Sequence, residues 1–167
     1  MKLNDFFKNT NYDDSMFSDR AIQYVESAIY VQSTRGKETY YIKCQVRNKD
    51  VVLKPEEAVR QLFLYNLIND YHYPTSRIEI EYPIHFGREV KRADVAIMDK
   101  DRPMVPYIIV ELKKPKLSDG KEQLKSYCNA TGAPIGVWTN GEQISYEEWK
   151  AKREERKEKK TPAEQSA

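Results

Sequence analysis

The pattern of hydrophobic and polar positions predicts a long helix in the first half of the chain. From residue 55 to residue 72, apolar side chains recur at helical spacing. Pro55 suits the first position of a helix, and the two glutamates after it complement the positive end of the helix dipole. The helix should end before Tyr73-Pro74, because the residue that precedes a proline disfavours helical backbone.

Three strands, a second helix and a fourth strand are predicted to follow. Residues 78–84 alternate between apolar and polar positions, and residues 93–98 form the next extended segment. Residues 107–113 are rich in Ile and Val, which is typical of a central strand that is buried on both faces. A helix over residues 119–131 then leads to a strand at residues 134–139.

This order of elements predicts an α/β fold of the mixed α+β kind. Antiparallel strands followed by a helical crossover make a central mixed sheet of about four strands that is flanked by helices. The extended segment 38–53 predicts a small N-terminal hairpin extension ahead of this sheet. We expect a single domain over residues 1–146, with its core at about 55–141. Residues 147–167 are expected to be a charged helical or disordered tail or linker.

The first residues of the chain and the overall composition give less information about fold and function. Residues 20–31 mix helical and extended signals, and no element is predicted before them. The formal net charge of +2 over 167 residues is too small to indicate a nucleic-acid partner by itself. Cys44 and Cys128 are far apart in the sequence and are expected to be reduced thiols. We find no signal peptide and no run of ~20 apolar residues, so we expect a cytoplasmic protein without a membrane partner.

Two acidic residues and one lysine on neighbouring predicted strands form the candidate site. Glu111 and Lys113 are two residues apart and therefore project from the same face of the third strand. Asp94 lies on the preceding strand, where antiparallel pairing can bring its carboxylate beside Glu111. Two converging carboxylates repel each other unless a cation lies between them, and oxygen ligands suit Mg²⁺. We therefore predict a Mg²⁺ site, with Mn²⁺ as a substitute, held by Asp94, Glu111 and the carbonyl of Val110.

Such a site is suited to hydrolysing a phosphodiester bond. The metal would polarise a phosphate oxygen and lower the pKa of a bound water, and Lys113 would orient that water. A lone Glu-x-Lys on a strand is more often a surface ion pair of little consequence. The apolar character of the strand, the upstream aspartate and the helix that carries Gln123 and Tyr127 favour the catalytic interpretation.

Several short motifs occur in a fixed order between residues 55 and 141. They are PEEAVRQ (55–61), Tyr73-Pro74, KRADVAI (91–97), IIVELKKP (108–115), Gln123 with Tyr127, and WTNG (138–141). Together they resemble the N-terminal nuclease domain of the type I restriction enzyme R subunit (HsdR), in the PD-(D/E)XK nuclease superfamily. The chain departs from that pattern in one place, since Ala93 replaces the proline before the aspartate.

The resemblance implies a restriction-endonuclease-like core and a Mg²⁺-dependent DNA endonuclease. It implies that Asp94 and Glu111 are the metal-binding acids and that Lys113 is the catalytic lysine. It also implies that Gln123 and Tyr127 form a Gln-x-x-x-Tyr motif that supports the site and contacts DNA.

The acidic residue on the family's first helix matches Glu57 best, with Glu56 as a close alternative that helical geometry does not separate from it. Arg60 and Gln61 are interpreted as residues that brace this helix. Basic residues on either side of the acids could also contact DNA phosphates, although ordinary solvation is the favoured interpretation for each one. They are Arg88, Lys91, Arg92, Lys114, Lys116, Lys121 and Lys125.

The expected partner is double-stranded DNA. In a larger enzyme, modification and specificity subunits and a C-terminal motor domain would join it. No GxxxxGK[ST] phosphate loop occurs, so we expect no ATP site in this chain, which is either a fragment ahead of a motor or a stand-alone relative. The alternative function is a catalytically silent nuclease-fold module that binds DNA or a partner subunit.

Overall fold

The N-terminal part of the chain forms two helices and a three-stranded antiparallel sheet. In this computed structural model, residues 1–8, 10, 12, 14–112, 120–139 and 144–148 are described. The elements of the N-terminal part are α1 (Leu3–Phe7), α2 (Asp19–Ala28), β1 (Ile29–Thr34), β2 (Lys37–Lys43) and β3 (Asp50–Val52). The predicted hairpin is confirmed by the antiparallel pairing of β2 with β3. The mixed signal at residues 20–31 is explained as well, because α2 ends at Ala28 and β1 begins at the next residue.

The main sheet has five strands, one more than the sequence predicts. Its elements are α3 (Pro55–Tyr65), β4 (Ile78–Phe86), β5 (Glu89–Met98), β6 (Pro106–Leu112), α4 (Gly120–Thr131), β7 (Ile135–Thr139) and β8 (Ile144–Glu148). A π-helical turn at Asn66–Asp70 continues α3, which confirms that the helical region ends before Tyr73. The strand order is β4-β5-β6-β7-β8. Among the described strands of this sheet, β6 and β7 alone pair in parallel, and they are joined through the α4 crossover, so the predicted mixed sheet is confirmed.

The sheet is covered on both faces. One face packs with the N-terminal helices and α3 in a core that includes Leu3, Val25, Leu62, Val95 and Val110, all at most 1% exposed. The other face packs with α4. In β6, Ile108, Val110 and Leu112 belong to the first core and Ile109 to the second, because side chains of a strand point to opposite faces in turn. The N-terminal residues and the main sheet therefore share one core.

Helices of the described residues are all too short or too polar to cross a membrane. Cys44 and Cys128 are buried and unlinked, as expected from the sequence. Lys113, Lys114, Lys116, the Asn140-Gly141 pair and residues 149–167 lie outside the described residues. Predictions about them stay predictions.

Strand β4 is distorted at the point where it faces the candidate site. Ile80 pairs with Val95 and Tyr82 pairs with Ala93, so Glu81 and Asp94 lie across from each other between these two pairs. Glu81 has a φ of 56°, in the left-handed region that non-glycine residues seldom adopt. Ala93 and Ala96 both pack with the α4 core, which breaks the strict alternation of β5 beside Asp94. Ala93 and Val95, which flank Asp94, therefore pack on opposite faces of the sheet.

Gly136 allows α4 to pack closely against β7. A Cβ atom at this position would lie 3.0 Å from both Cys128 Sγ and Leu124 Cγ, two buried atoms of α4. We predict that Gly136→Val lowers the free energy of unfolding by about 1–3 kcal/mol, because the extra methyl groups overpack this contact. Urea denaturation of Gly136→Val with and without Cys128→Ala checks this. The second substitution should recover part of the loss, and strictly additive effects would contradict the contact.

Candidate active site

The Asp94 carboxylate is fixed at both of its oxygens. Oδ2 accepts a hydrogen bond of 2.7 Å from the backbone N–H of Leu112, and Oδ1 accepts one of 3.0 Å from Nη2 of Arg60. The first bond attaches the acid to the end of β6, and the second attaches it to α3. The Asp94 side chain keeps 17% of its surface exposed. It therefore lies at the junction of β5, β6 and α3 and remains reachable from solvent.

Glu111 lies next to the peptide that binds Asp94. The register of β5 and β6 pairs Val95 with Val110, and continuing it by one residue brings Asp94 across from Glu111. By strand alternation Glu111 shares the face of Ile109, which packs toward α4, and it is 2% exposed. Val110 lies in the middle of β6, paired with Val95 on one side and Val137 on the other. Its carbonyl as a ligand stays a prediction.

The two acids of the first helix differ in their surroundings. Glu57 is buried, at 7% exposure, whereas the Glu56 side chain is 47% exposed. Both contact Arg60: Nη1 donates to Glu57, and Nη2 lies 3.1 Å from Glu56 Oε1. Burial thus separates the two candidates for the first-helix acid, with Glu57 inside the site and Glu56 at its rim. Neither sequence pattern nor helical geometry could make that distinction.

A second set of polar contacts holds Glu57 from the other side. Its Oε1 accepts a hydrogen bond of 2.8 Å from Gln61 Nε2 and lies 3.8 Å from Arg47 Nη2. Gln61 is fully buried, and its side-chain oxygen accepts from the backbone N–H of Gln45 at 3.3 Å. Arg47 also lies 3.5 Å from Glu81. The acids of α3, β4 and β5 therefore belong to one network of contacts.

This network carries more negative than positive charge. Among the described residues, four carboxylates, those of Glu56, Glu57, Glu81 and Asp94, contact two guanidinium groups, those of Arg47 and Arg60. Burial of Arg60 opposes its charged form, but the three carboxylates around it raise the pKa of its guanidinium above the usual value. Arg60 is therefore a permanent cation at the centre of an anionic cluster.

Tyr12 places an aromatic ring from the N-terminal segment close to this cluster. Its hydroxyl is buried and has no hydrogen-bond partner among the described residues, and its ring stacks on Phe7 at a centroid distance of 6.4 Å. Burial, followed by the negative charges of Glu56 and Asp94, raises the pKa of Tyr12 to about 12. The phenol therefore stays neutral and can donate a hydrogen bond over the whole physiological pH range.

Gln123 and Tyr127 lie on α4, one turn apart, as their spacing predicts. Gln123 Nε2 donates to the Tyr127 hydroxyl at 2.6 Å, and the Tyr127 ring lies 6.0 Å from that of Phe86. Tyr127 is 2% exposed and part of the core beside α4, yet it also lines an open cavity of about 740 Å³. Lys91 and Arg92 line the same cavity. Tyr127 therefore both packs in the core and lines this cavity.

The acids fit a hard divalent cation by their chemistry. Asp94 and Glu111 offer oxygen donors only, and the neighbouring network has an excess of carboxylates over cations. Within the described ranges, no three His, Cys, Asp or Glu side chains are grouped so as to hold a metal. A site with two acids would suit Mg²⁺, which usually keeps several of its waters.

The sequence missed several residues of this site. Arg60, interpreted as a brace of α3, in fact reaches Asp94 on β5. Its spacings of four from Glu56 and three from Glu57 are local signals for ion pairs within α3, but no local signal links it to Asp94. Arg47, Glu81 and Tyr12 come from segments distant in sequence, and no local pattern could have assigned them to the site.

The buried amide of Gln61 provides a test of the network. Replacing Gln61 with Leu leaves the Glu57 carboxylate and the Gln45 N–H without this partner in a buried setting. We predict a loss of about 1–3 kcal/mol in the free energy of unfolding. Urea denaturation measures it, with Gln32→Leu on exposed β1 as the control, for which we expect a change within about 0.5 kcal/mol. Equal effects of the two substitutions would contradict the role of Gln61.

The surroundings of Tyr12 predict a pH dependence. Its pKa in the folded chain, about 12, exceeds the ordinary value of 10.0. The folded state therefore holds this proton more tightly, and the resulting stability is complete below pH 10 and is lost as the pH rises toward 12. Tyrosinate absorbance during alkaline titration should show that Tyr12→Phe removes a component titrating near pH 12. Removal of a component near pH 10 would contradict the burial of the phenol.

Comparison with known proteins identifies the family. The profile of the type I restriction enzyme R protein N terminus (HSDR_N) matches residues 55–161, which is more than half of the chain. A search of curated proteins gives no match. The matched region begins at the first residue of α3 and includes every acid predicted for the site. This chain belongs to the family of type I restriction enzyme R protein N termini.

Proposed function

We propose that this domain hydrolyses phosphodiester bonds of double-stranded DNA in a reaction that depends on Mg²⁺. The observation that carries the proposal is the position of Asp94, which is bonded to the end of β6 beside Glu111 and surrounded by excess negative charge. Family membership supports a nuclease-type role in restriction, with DNA and other subunits of the complex as partners. We infer a PD-(D/E)XK type of site from Asp94, Glu111 and the predicted Lys113.

The roles of the residues follow from their chemistry. Asp94 and Glu111 would hold the metal, with the carbonyl of Val110 as the predicted third donor. When bound, Mg²⁺ supplies a polarised phosphate oxygen and a water of lowered pKa. Lys113, which follows Leu112 directly in the sequence, would orient the attacking water and offset negative charge on the phosphate. Glu57 would hold the Arg60 guanidinium beside Asp94.

The groove beside α4 supports a DNA-facing role for this side of the molecule. Lys91 and Arg92 line it together with Gln123, and cations at that place can contact backbone phosphates. Such contacts give binding that depends on salt and not on base sequence. We therefore propose that DNA lies over the α4 face of the sheet, toward which the side chain of Glu111 is directed.

We also propose that residues 1–148 act as one domain and that residues 149–167 are a linker or tail. The domain is two residues longer than the sequence predicts, because β8 extends through Glu148 and pairs with β7. The shared core of α1, α2, α3 and the main sheet supports the first part. A cytoplasmic location is proposed because the chain belongs to a family of restriction enzyme subunits, whose proposed substrate is DNA.

Nicking of supercoiled plasmid by the full chain tests the proposed activity. We expect nicking that requires Mg²⁺ or Mn²⁺ and falls by at least about 100-fold in Asp94→Asn, Glu111→Gln and Lys113→Met. Glu79→Gln, which changes an exposed carboxylate on β4, should nick like the wild type.

The alternative function gives a different result. A silent module would bind DNA in gel-shift assays and cut it at no concentration of either metal, alone or with modification and specificity subunits. Nicking that survives in all three site variants would show that the activity arises elsewhere.

A further inference from the structure

Arg60 occupies the acidic cluster as a buried cation. Its side chain is 6% exposed, and its Nη2 lies 3.1 Å from Glu56 Oε1 and 3.0 Å from Asp94 Oδ1. Its Nη1 donates to Glu57. One nitrogen is therefore shared between an acid at the rim and the acid predicted to bind metal. No sequence pattern points to this sharing, because Asp94 lies 34 residues further along the chain.

The contact with Asp94 can be lost without removing Arg60 from the cluster. Glu56 and Glu57 lie on the same helix as Arg60, at spacings of four and three residues, and together they engage both terminal nitrogens. They would hold the guanidinium if Nη2 left Asp94. Asp94 in turn keeps its bond to the Leu112 N–H through its other oxygen. The geometry thus allows the guanidinium at Asp94 Oδ1 to be replaced by another cation while the other contacts remain.

A divalent cation and the guanidinium would compete for that oxygen. A metal bound to Asp94 would lie within a few ångströms of a group that carries a permanent positive charge, and two cations that close repel each other. Arg60 neutralises the buried acids when no metal is bound, and bound metal would take over that task.

We propose that Arg60 is the resident counter-ion of Asp94 and competes with the divalent cation for this carboxylate. This inference rests on the proposed function, since it takes Asp94 as a metal ligand. Arg60 keeps the acid cluster folded at low metal concentration, and metal binding moves it back onto Glu56 and Glu57. Its presence lowers the affinity for metal, so the site fills only when the divalent ion is abundant.

If Arg60 has the opposite role, removing it changes the metal affinity in the opposite direction. If Arg60 only orients Asp94 toward the metal, its removal leaves the carboxylate misplaced and weakens metal binding. If it competes, its removal strengthens binding, because a positive charge beside a carboxylate changes the affinity of that group for a cation about tenfold or more. Metal affinity, measured without any substrate, separates the two roles.

Calorimetric titration of the full chain with Mn²⁺ tests the proposal. We expect Arg60→Gln to bind Mn²⁺ about tenfold more tightly than the wild type. Arg102→Gln is the matched control, because Arg102 also pairs with an aspartate, at 3.1 Å, but lies on an exposed turn. Its affinity should equal that of the wild type. Unchanged or weaker binding by Arg60→Gln would overturn the competition.

Thermal unfolding supplies a second readout. Without metal, Arg60→Gln should melt below the wild type, since Glu57 and Asp94 lose the guanidinium that neutralises them. Saturating Mn²⁺ should narrow that difference in melting temperature. A difference that stays constant contradicts the proposal. If Arg60→Gln does not fold at any Mn²⁺ concentration, Arg60→Lys decides, because one ammonium group cannot engage three carboxylates as the guanidinium fork does. We expect it to bind Mn²⁺ more tightly than the wild type, and equal or weaker binding overturns the inference.

Asp94→Asn distinguishes this inference from the proposed function. If the wild type binds no Mn²⁺, or if Asp94→Asn binds it equally well, the proposed metal site is wrong and the inference falls with it. If Asp94→Asn abolishes binding while Arg60→Gln leaves it unchanged, the metal site stands and only the role of Arg60 is wrong.

Discussion

The site depends on one constraint: several carboxylates are gathered where α3, β4 and β5 meet the end of the central strand, and buried negative charge must be neutralised. Arg60 and Arg47 neutralise part of this negative charge. The buried amide of Gln61 also stabilises the Glu57 carboxylate by donating a hydrogen bond to it. A cluster of this kind is costly to a protein that does not use it. Its composition of oxygen donors and its excess of negative charge are those expected of a divalent metal site.

The sheet explains how distant residues reach this place. Central β6 is apolar on both faces up to Val110, and the first charged side chain along it is Glu111. Asp94 is attached to the same strand end by the Leu112 N–H. The distortion at Glu81, across from Asp94, is stored backbone strain beside the candidate chemistry, where such strain tends to occur. The fold thus brings the acids together at the end of its most buried strand.

Local patterns predicted the parts of the fold that local physics decides. Helical spacing with Pro55 gave the start of α3, and the run of Ile and Val gave central β6. The fifth strand, β8, was missed because the charged Glu147 and Glu148 at its end begin a long charged run. Asp94 and Glu111 could be chosen from residue type and spacing. The contacts of Arg60, Arg47 and Tyr12 could not, since they depend on how separate elements pack.

The N-terminal segment is part of the site although it precedes the region that the family profile matches. Residues 1–54 contribute Tyr12, Gln45 and Arg47 to the surroundings of the acids, and their helices share the core of α3. Residues that precede the matched region therefore contribute to the surroundings of the candidate acids. The surroundings of Asp94 are set in part by a segment outside the matched region.

The most direct test of the metal site is the anomalous scattering of Mn²⁺ in crystals of the full chain. A peak within bonding distance of both the Asp94 and Glu111 carboxylates, with the Arg60 guanidinium withdrawn from Asp94, is the predicted result. An anomalous peak elsewhere, or no peak at high Mn²⁺ concentration with the Arg60–Asp94 contact intact, would contradict the assignment of these two acids as metal ligands.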